Sequence, residues 1–223
     1  MIMITGASSG LGAALAKNYA LDNEHLFLTG RNPQRLKQIA QQLQSTQPIN
    51  IYPADLSNPQ DIKPLFDALP CTPAKLIHCA GSGLFGAIET QDPTDIKQLI
   101  DNNVTSCIYV LQEAVKRYKD KPLSLVIIMS SAAQTAKANE STYCAAKWAV
   151  KGFISALKLE LKASPINIIA VYPGGMDTSF WSTSGTQQDT RTFMQASEAA
   201  LMLKHALIDT EKGYISEISI DRY

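Results

Sequence analysis

The sequence predicts an α/β protein with one doubly wound parallel sheet of about seven strands and helices on both faces. Short apolar runs alternate with helical segments along all 223 residues, a pattern that favours parallel strands joined by right-handed crossovers. Residues 123–129 are almost continuously apolar, as expected of a strand buried on both faces. A glycine-rich turn at residues 6–12 separates the first strand from the first helix, which is typical of such sheets.

The first half of the chain is predicted to hold four strands and three helices. The strands are short apolar runs at residues 1–5, 25–29, 49–53 and 75–79. The helices cover residues 10–21, residues 33–43 and a segment that starts at Ser57 or Asn58. Asn32 can cap the second helix, with Pro33 at its first position. Pro64 would distort the third helix, so we expect a kink or a late start there.

The second half is predicted to hold three strands and three helices. The strands lie at residues 123–129, 166–171 and 214–220, and the last alternates apolar and polar residues. The helices run from Pro93, capped by Asp92, to about Lys119, through Tyr143 to about residue 163, and over residues 197–208. Residues 176–195 form an irregular flap. Its apolar side chains either cover a cleft as a lid or pack on their own core; they are Phe180, Trp181, Phe193 and Met194.

Composition excludes several classes of partner. Twenty Lys and Arg balance twenty Asp and Glu, and without a basic run we expect no nucleic-acid or acidic-membrane partner. No apolar stretch approaches a membrane span, and the first strand runs directly into a motif, which leaves no room for a signal peptide. The four cysteines lack C-x-x-C spacing, so we expect reduced thiols and a cytoplasmic protein. The histidines show no metal-ligand spacing, and no metal is expected.

The glycine-rich turn predicts a phosphate-binding site. Its spacing is Gly6-x-x-x-Gly10-x-Gly12, with Ser8, Ser9 and Leu11 between the glycines. Glycines let the backbone approach a pyrophosphate, and the following helix offers free N–H groups and a positive dipole. An ordinary Ser/Gly turn is the alternative. Given the flanking strand and helix, we predict a single Rossmann-type nucleotide-binding domain over residues 1–223.

Arg31 bears on which dinucleotide binds. The end of the second strand is where such folds contact the adenosine ribose, usually through a carboxylate that bonds a free hydroxyl. Gly30 supplies no carboxylate, whereas Arg31 supplies a positive fork suited to a phosphate, with Arg35 as a possible second contact. This favours NADP (NADPH) over NAD. A solvated loop arginine is the alternative.

Tyr143 and Lys147 are the candidate chemical groups. Four residues apart on a helix, they lie on one face. A tyrosine with a pKa near 10 is a poor acid or base at neutral pH, and a nearby ammonium would lower that pKa. A chance pair at this spacing is the alternative. In such a sheet, ligands bind beyond the carboxyl ends of the strands, so residues at those ends are expected to share one cleft. The candidate residues that fall there are the glycine turn, Arg31, Asp55, Gly81, Ser130 and Pro173-Gly174.

These motifs together resemble the short-chain dehydrogenase/reductase family over essentially the whole chain. They are Thr5-Gly6-x-x-x-Gly10-x-Gly12, Tyr143-x-x-x-Lys147 and Pro173-Gly174. The resemblance implies a catalytic set of Asn, Ser, Tyr and Lys, in which Tyr143 and Lys147 match directly. The family's serine most often precedes the tyrosine by thirteen residues, which selects Ser130. It is also commonly the second serine of a Ser-Ser pair, which would select Ser131. Spacing from the tyrosine also selects Asn103, with Asn102 as the alternative.

The resemblance also assigns cofactor contacts. Asp55-Leu56 looks like the adenine-binding pair, Ala80-Gly81 like the end of the family's Asn-Asn-Ala-Gly motif, and Met176 and Thr178 like the segment that meets the nicotinamide. His78 and Cys79 replace both asparagines of that motif, and His78 is then expected to be a buried structural imidazole. The C-terminus is shorter than in many family members.

What the resemblance implies is an NADP(H)-dependent oxidoreductase that acts on a small carbonyl or alcohol, with Tyr143 as general acid or base. The second hypothesis is a cofactor-sensing protein of the same fold without turnover. The third hypothesis is a different doubly wound protein, such as a nucleotide-sugar epimerase or a methyltransferase. The family's dimer bundle implies a homodimer or homotetramer formed through helices near residues 93–118 and 142–162. The first of these is apolar on more than one face, which fits burial against a partner.

Overall fold

A seven-stranded parallel sheet runs through the middle of the computed structural model, which describes residues 1–185, 188–208 and 212–222. The strands are β1 (Ile2–Thr5), β2 (Leu26–Gly30), β3 (Ile49–Pro53), β4 (Lys75–His78), β5 (Leu123–Ile128), β6 (Ile166–Pro173), β7 (Met176–Asp177), β8 (Met194–Gln195) and β9 (Glu217–Ile220). The sheet has the order β3-β2-β1-β4-β5-β6-β9, and each neighbouring pair is parallel. Strands β7 and β8 form a separate two-stranded ribbon.

Helices connect the strands and cover both faces of the sheet. They are α1 (Gly10–Leu21), α2 (Pro33–Gln42), α3 (Pro59–Asp67), α4 (Pro93–Ile100), α5 (Ser106–Tyr118), α6 (Ser141–Glu160) and α7 (Ala196–Ala206). Strand residues alternate between two buried clusters. Met3 and Phe27 join α3, α5 and α6 on one face, whereas Ile4 and Leu28 join α1, α2 and α7 on the other. The predicted fold class is therefore confirmed.

The strand order reverses between β1 and β4. From β1 the chain adds β2 and β3 on one side and then crosses back to add β4 to β6 on the other. The carboxyl ends of β1 and β4 diverge into separate loops at this reversal, which opens a crevice where ligands bind in open α/β sheets. The fold thereby places the glycine turn after β1 beside the loop after β4.

Several predicted boundaries differ from the observed ones. Helix α3 begins at Pro59, so a late start is wrong; Asn58 caps it by accepting from the Gln60 N–H. The predicted final strand at residues 214–220 shortens to β9, because only Glu217–Ile220 pairs with β6. The flap prediction at residues 176–195 holds only in part, because β7 and β8 bracket that segment; its residues 186–187 lie outside the described ones.

The predicted helix from Pro93 to about Lys119 has an interruption. A π-helical turn, Asp101–Thr105, separates α4 from α5. A π turn inserts one extra residue into the helical repeat and so rotates the side chains that follow; such turns occur frequently at functional sites. The interruption contains Asn103, one of the candidate site residues.

Two further findings concern the chain as a whole. Within the described residues, none of the helices is both long and apolar enough to cross a membrane. All four cysteines are free thiols, with Cys107 and Cys144 buried and Cys71 exposed.

Candidate active site

The turn between β1 and α1 is shaped by two glycines that have no room for a side chain. Gly6 has φ +63°, and a Cβ there would lie 2.7 Å from the Ala80 nitrogen. A Cβ on Gly12 would overlap the Gly6 carbonyl oxygen. The turn therefore packs tightly against the loop after β4, and the N-terminus of α1 faces the crevice between them.

The N-terminus of α1 is free to receive an anion. Ser9 precedes the helix, but its side chain makes no capping hydrogen bond, and the first turn carries no acidic residue. The first N–H groups of a helix have no partner within the helix and carry partial positive charge. This end of α1 therefore suits a phosphate group, as the glycine spacing predicts.

A single cleft of about 690 Å³ collects nearly all of the predicted site residues. Its volume lies in the range of small-molecule and cofactor sites. The predicted residues that line it are Gly6, Ser8, Ser9, Gly10, Leu11, Gly12, Arg31, Asp55, Leu56, Ala80, Gly81, Ser130, Tyr143, Lys147, Pro173, Gly174, Met176 and Thr178. Asn103 is the exception, because it lies buried behind Gly81.

At the β2 end of the cleft, Arg31 is exposed and points across to the π turn. Its Nη1 donates to the Asn102 Oδ1 at 3.1 Å. Arg35 also lines the cleft. Asp55 is tied locally instead, since its Oδ1 accepts from the N–H and the hydroxyl of Ser57 at 3.0 and 2.7 Å. Positive side chains thus dominate the place where an adenosine ribose would lie in this fold.

Tyr143 and Lys147 project from the first turns of α6 into the other end of the cleft. Each is only 6% exposed, and the Lys147 Nζ lies 5.5 Å from the centre of the Tyr143 ring. The helix brings them together because residues four apart share a face. The structure therefore places them as the spacing predicts.

The protonation of this pair differs from the expectation. Burial raises the pKa of Tyr143 well above its ordinary value, a hydrogen bond with Ser130 acts against that rise, and Glu140 and Cys144 add to it. The net shift is upward because burial is its largest cause, so the predicted lowering of the Tyr143 pKa is wrong for this arrangement. Burial instead lowers the pKa of Lys147 to about 8. Tyr143 is consequently a protonated phenol at neutral pH, which suits an acid.

The two neighbouring serines after β5 point to different partners. The Ser130 hydroxyl interacts with Tyr143 and accepts a hydrogen bond from the Ala132 N–H at 3.1 Å. The Ser131 hydroxyl accepts from the Lys137 ammonium at 3.0 Å. Geometry therefore favours Ser130 over Ser131 as the hydroxyl that accompanies the phenol.

Asn103 has a polar atom that no described group satisfies. Its Nδ2 donates to the carbonyl oxygens of Ser82 and Leu99, both at 2.9 Å, while its buried Oδ1 has no partner. A Cβ on Gly81 would lie 2.7 Å from that Oδ1 and 3.5 Å from the Lys147 Nζ. Asn103 and Lys147 thus converge on the space that the glycine leaves open.

His78 is a buried structural residue, as predicted. It is 2% exposed, and its Nδ1 hydrogen-bonds the Thr5 hydroxyl at 3.0 Å. Burial, aided by the Lys147 charge, lowers the pKa of His78 to about 3. Thr5 also accepts from the Ala80 N–H at 3.3 Å, so this pair ties β1 to the loop after β4 where the family's asparagines are missing.

The flap covers the Tyr143 end of the cleft. Phe180 makes an edge contact with the Tyr143 ring at 5.9 Å, and Trp181 stacks on Phe85 at 5.1 Å. A Cβ on Gly83 would lie 2.7 Å from Phe180. The flap residues also pack on one another, since the Trp181 ring lies 5.5 Å from the Phe180 ring and 5.3 Å from the Phe193 ring. Both alternatives therefore hold in part: the flap has contacts of its own, and Phe180 and Trp181 form a lid over the Tyr143 end of the cleft.

Sequence reasoning missed several residues that line the same cleft, among them Phe85, Lys137 and Glu140. Phe85 contacts both Tyr143 and the lid. Ser131, which the sequence offered only as an alternative to Ser130, lines the cleft as well. Phe85 follows the glycine-rich loop after β4, and this position is the signal that could have identified it as a cleft residue. Lys137 and Glu140 lie in an exposed loop without a pattern, so the sequence offered none.

Comparison with known proteins identifies the family of the chain. Residues 1–189 match the short chain dehydrogenase family. The crystal structure of a short-chain dehydrogenase/reductase from Vibrio parahaemolyticus is 49% identical over all of both chains, with a TM-score of 0.92. A Staphylococcus epidermidis protein described as an uncharacterised oxidoreductase is 28% identical over 98% of this chain and 95% of its own.

A third similar protein carries a cofactor. A short-chain dehydrogenase from Sphingobium yanoikuyae in complex with NADPH is 26% identical, covering 97% of this chain and 86% of that one, with a TM-score of 0.85. Family and fold therefore agree, and the chain is an oxidoreductase that belongs to the short chain dehydrogenase family.

Proposed function

We propose that this oxidoreductase uses NADP(H) to interconvert a small carbonyl compound and its alcohol, with Tyr143 as the general acid or base. The observation that carries the proposal is the cluster of half-buried Ser130 with buried Tyr143 and Lys147 at one end of a cleft whose other end is a glycine turn beside Arg31. A proton donor and an anion site, joined by one cleft, are what hydride transfer to a carbonyl needs from a protein.

The residues present fit a dinucleotide. Gly6, Gly12 and the free N-terminus of α1 would hold the pyrophosphate, and Asp55 with Leu56 would border the adenine. Ala80, Pro173, Gly174, Met176 and Thr178 would contact the nicotinamide half. Arg31 supports a 2′-phosphate and hence NADP rather than NAD. When bound, the nicotinamide supplies or accepts the hydride. The NADPH complex of the Sphingobium relative supports the same cofactor.

The chain's own residues would handle the proton. The raised pKa of Tyr143 keeps its phenol protonated, so it can donate to a carbonyl oxygen on which negative charge develops. The Ser130 hydroxyl would stabilise the same oxygen. The Lys147 ammonium, which by family resemblance would also bond the nicotinamide ribose, would face the phenolate that remains and supply the proton that restores the phenol. The unpartnered Asn103 Oδ1 would accept from a water that then returns a proton from solvent to Lys147.

The substrate is proposed to be modest in size and partly apolar. The space beside the Tyr143 phenol is bounded by rings from the lid and from the loop after β4, namely Phe85, Phe180 and Trp181. Aromatic walls exclude water and favour apolar groups on the substrate. A cofactor-sensing protein without turnover remains the second candidate, because it would need the same cleft.

A substrate panel tests the proposal. Full-length protein is mixed with NADPH or NADH and with aldehydes and ketones that carry alkyl or aryl groups, and oxidation is followed at 340 nm. We expect turnover with NADPH and a clear preference for it over NADH. Binding of NADPH without turnover of any substrate would favour the cofactor-sensing alternative instead.

We further propose a homodimer or homotetramer in the cytoplasm. The outer face of α6 exposes an apolar stripe that would be covered by a second copy; it comprises Ala145, Trp148, Ala149 and Leu159, the last of these 77% exposed. Free thiols at all four cysteines support a reducing compartment. Light scattering after size exclusion tests the assembly, and Trp148→Glu is expected to yield monomers. A monomeric wild-type protein would contradict it.

A further inference from the structure

Arg31 is held in place by a side chain that the cofactor motifs do not include. Its Nη1 donates to the Asn102 Oδ1 at 3.1 Å, and the Asn102 Nδ2 donates to the Ser82 hydroxyl at 3.1 Å. A guanidinium only donates hydrogen bonds, so it fixes the amide oxygen of Asn102 toward Arg31 and the amide nitrogen toward Ser82. The two bonds therefore support each other's geometry.

Ser82 is itself fixed by the neighbouring asparagine. Its carbonyl oxygen accepts from the Asn103 Nδ2 at 2.9 Å, so adjacent residues of the π turn contact the same serine through different atoms. The support behind Arg31 thus reaches back into buried structure, although Arg31 itself is exposed. Arg31, Asn102 and Ser82 all line the cleft.

We propose that Asn102 is a positioning residue for recognition of the cofactor's 2′-phosphate, an inference that rests on the proposed use of NADP(H). A free arginine side chain loses considerable rotamer entropy when it is fixed on a ligand. The bond to Asn102 orders the guanidinium beforehand and engages only one of its five N–H donors, which leaves the others for a phosphate. Because Asn102 is neutral, it orients Arg31 without cancelling its charge.

The experiment separates the 2′-phosphate from the rest of the cofactor. Calorimetry measures binding of adenosine 2′,5′-bisphosphate and of 5′-AMP to the full chain and to Asn102→Ala, Arg31→Ala and the double variant. We expect Asn102→Ala to weaken bisphosphate binding by about three- to tenfold, in keeping with the loss of preorganisation, and to leave 5′-AMP within about twofold. In the Arg31→Ala background the same substitution should have no further effect, because the two residues act as one unit.

Two further variants sharpen the result. Asn102→Asp should weaken bisphosphate binding more than Asn102→Ala, because a carboxylate pairs with Arg31 and repels the phosphate. Gln38→Ala, which removes an exposed amide on α2 that is not part of the cleft lining, is the control and should change the binding of neither ligand.

The outcomes are distinguishable. If Asn102→Ala weakens the binding of both ligands equally, Asn102 has only a structural role. If the substitution tightens bisphosphate binding, Asn102 competes with the phosphate for Arg31. Either result overturns the inference. If the wild-type protein binds both ligands with no preference and Arg31→Ala changes nothing, the proposed choice of NADP fails instead. A wild-type preference that is insensitive to Asn102 overturns the inference alone.

Discussion

The Lys147 ammonium lies 5.5 Å from the centre of the Tyr143 ring, and burial shifts the pKa values of both groups toward their neutral forms. Desolvation penalises charge on either side chain. The Tyr143 phenol therefore keeps its proton, while the Lys147 ammonium has a pKa of about 8 and loses its charge just above neutral pH. This pair makes pH a direct probe of the site.

The first prediction concerns alkaline pH. The pKa of Lys147 is lowered to about 8, so its charge is present below that pH and is lost above it. A neutral amine stabilises a Tyr143 phenolate less well. We expect kcat/KM for carbonyl reduction to fall by up to about tenfold per pH unit above pH 8, since this parameter reports groups of the free enzyme. A profile that stays flat to pH 10 would contradict the assignment.

A second prediction concerns stability in mild acid. The pKa of His78 is lowered to about 3, below its ordinary value near 6.5, so only the unfolded chain binds a proton between these limits. Stability is therefore lost as the pH falls below 6.5, by roughly 2 kcal/mol at pH 5.

His78→Asn should remove this contribution, whereas the matched substitution of exposed His205 should not. Urea unfolding at pH 5 to 7 measures the difference. Parallel slopes for the wild-type protein and His78→Asn over that range would show that His78 is not the group responsible.

A third prediction concerns Gly81. A Cβ at this position would lie 2.7 Å from the Asn103 Oδ1, and two hydrogen bonds through its Nδ2 prevent Asn103 from moving freely. We expect Gly81→Ala to cost about 1–3 kcal/mol of stability through overpacking and to reduce kcat by more than about tenfold by displacing Asn103 and Lys147. Steady-state kinetics beside urea unfolding check both effects; unchanged kcat would place the Asn103–Lys147 pair outside the chemistry.

A fourth prediction concerns the lid. The Arg222 guanidinium lies 4.2 Å from the centre of the Phe193 ring, which packs on Trp181 at 5.3 Å. A cation–π contact at an exposed site contributes about 0.5–1 kcal/mol, so its loss should increase lid opening by about two- to fivefold. In a Trp148→Phe background Trp181 is the single tryptophan, and its quenching by acrylamide should increase in Arg222→Ala.

Arg222→Lys serves as the control, because it retains a cation over the ring and should quench like the wild-type protein. Equal quenching of the alanine and lysine variants at the wild-type level would mean that Arg222 does not hold the lid.

The fold was predictable because its signals are local and repeated. Apolar runs located the strands, and the Asn32 and Asp92 caps located two helix starts that the structure confirms. The site was predictable where it follows strand ends or a fixed helical spacing. The π turn at Asn103 was not, since it has no sequence signature, and neither was the packing of Phe85 against Tyr143, which depends on contacts between distant segments.

The protonation of the site was the property that the sequence predicted incorrectly. Spacing alone placed an ammonium beside a phenol and suggested a lowered tyrosine pKa. That inference left out burial, which is a property of the packed structure and which dominates at both groups.

The most direct test of Tyr143 as the proton donor is a single-turnover measurement with bound NADPH and an accepted ketone. Tyr143→Phe removes only the hydroxyl, and Tyr109→Phe on α5 is the matched control. The account predicts that Tyr143→Phe binds NADPH as tightly as the wild-type protein but oxidises it at least about 10²-fold more slowly, the usual size of a lost general acid, while Tyr109→Phe is unchanged. Wild-type rates in Tyr143→Phe would contradict it.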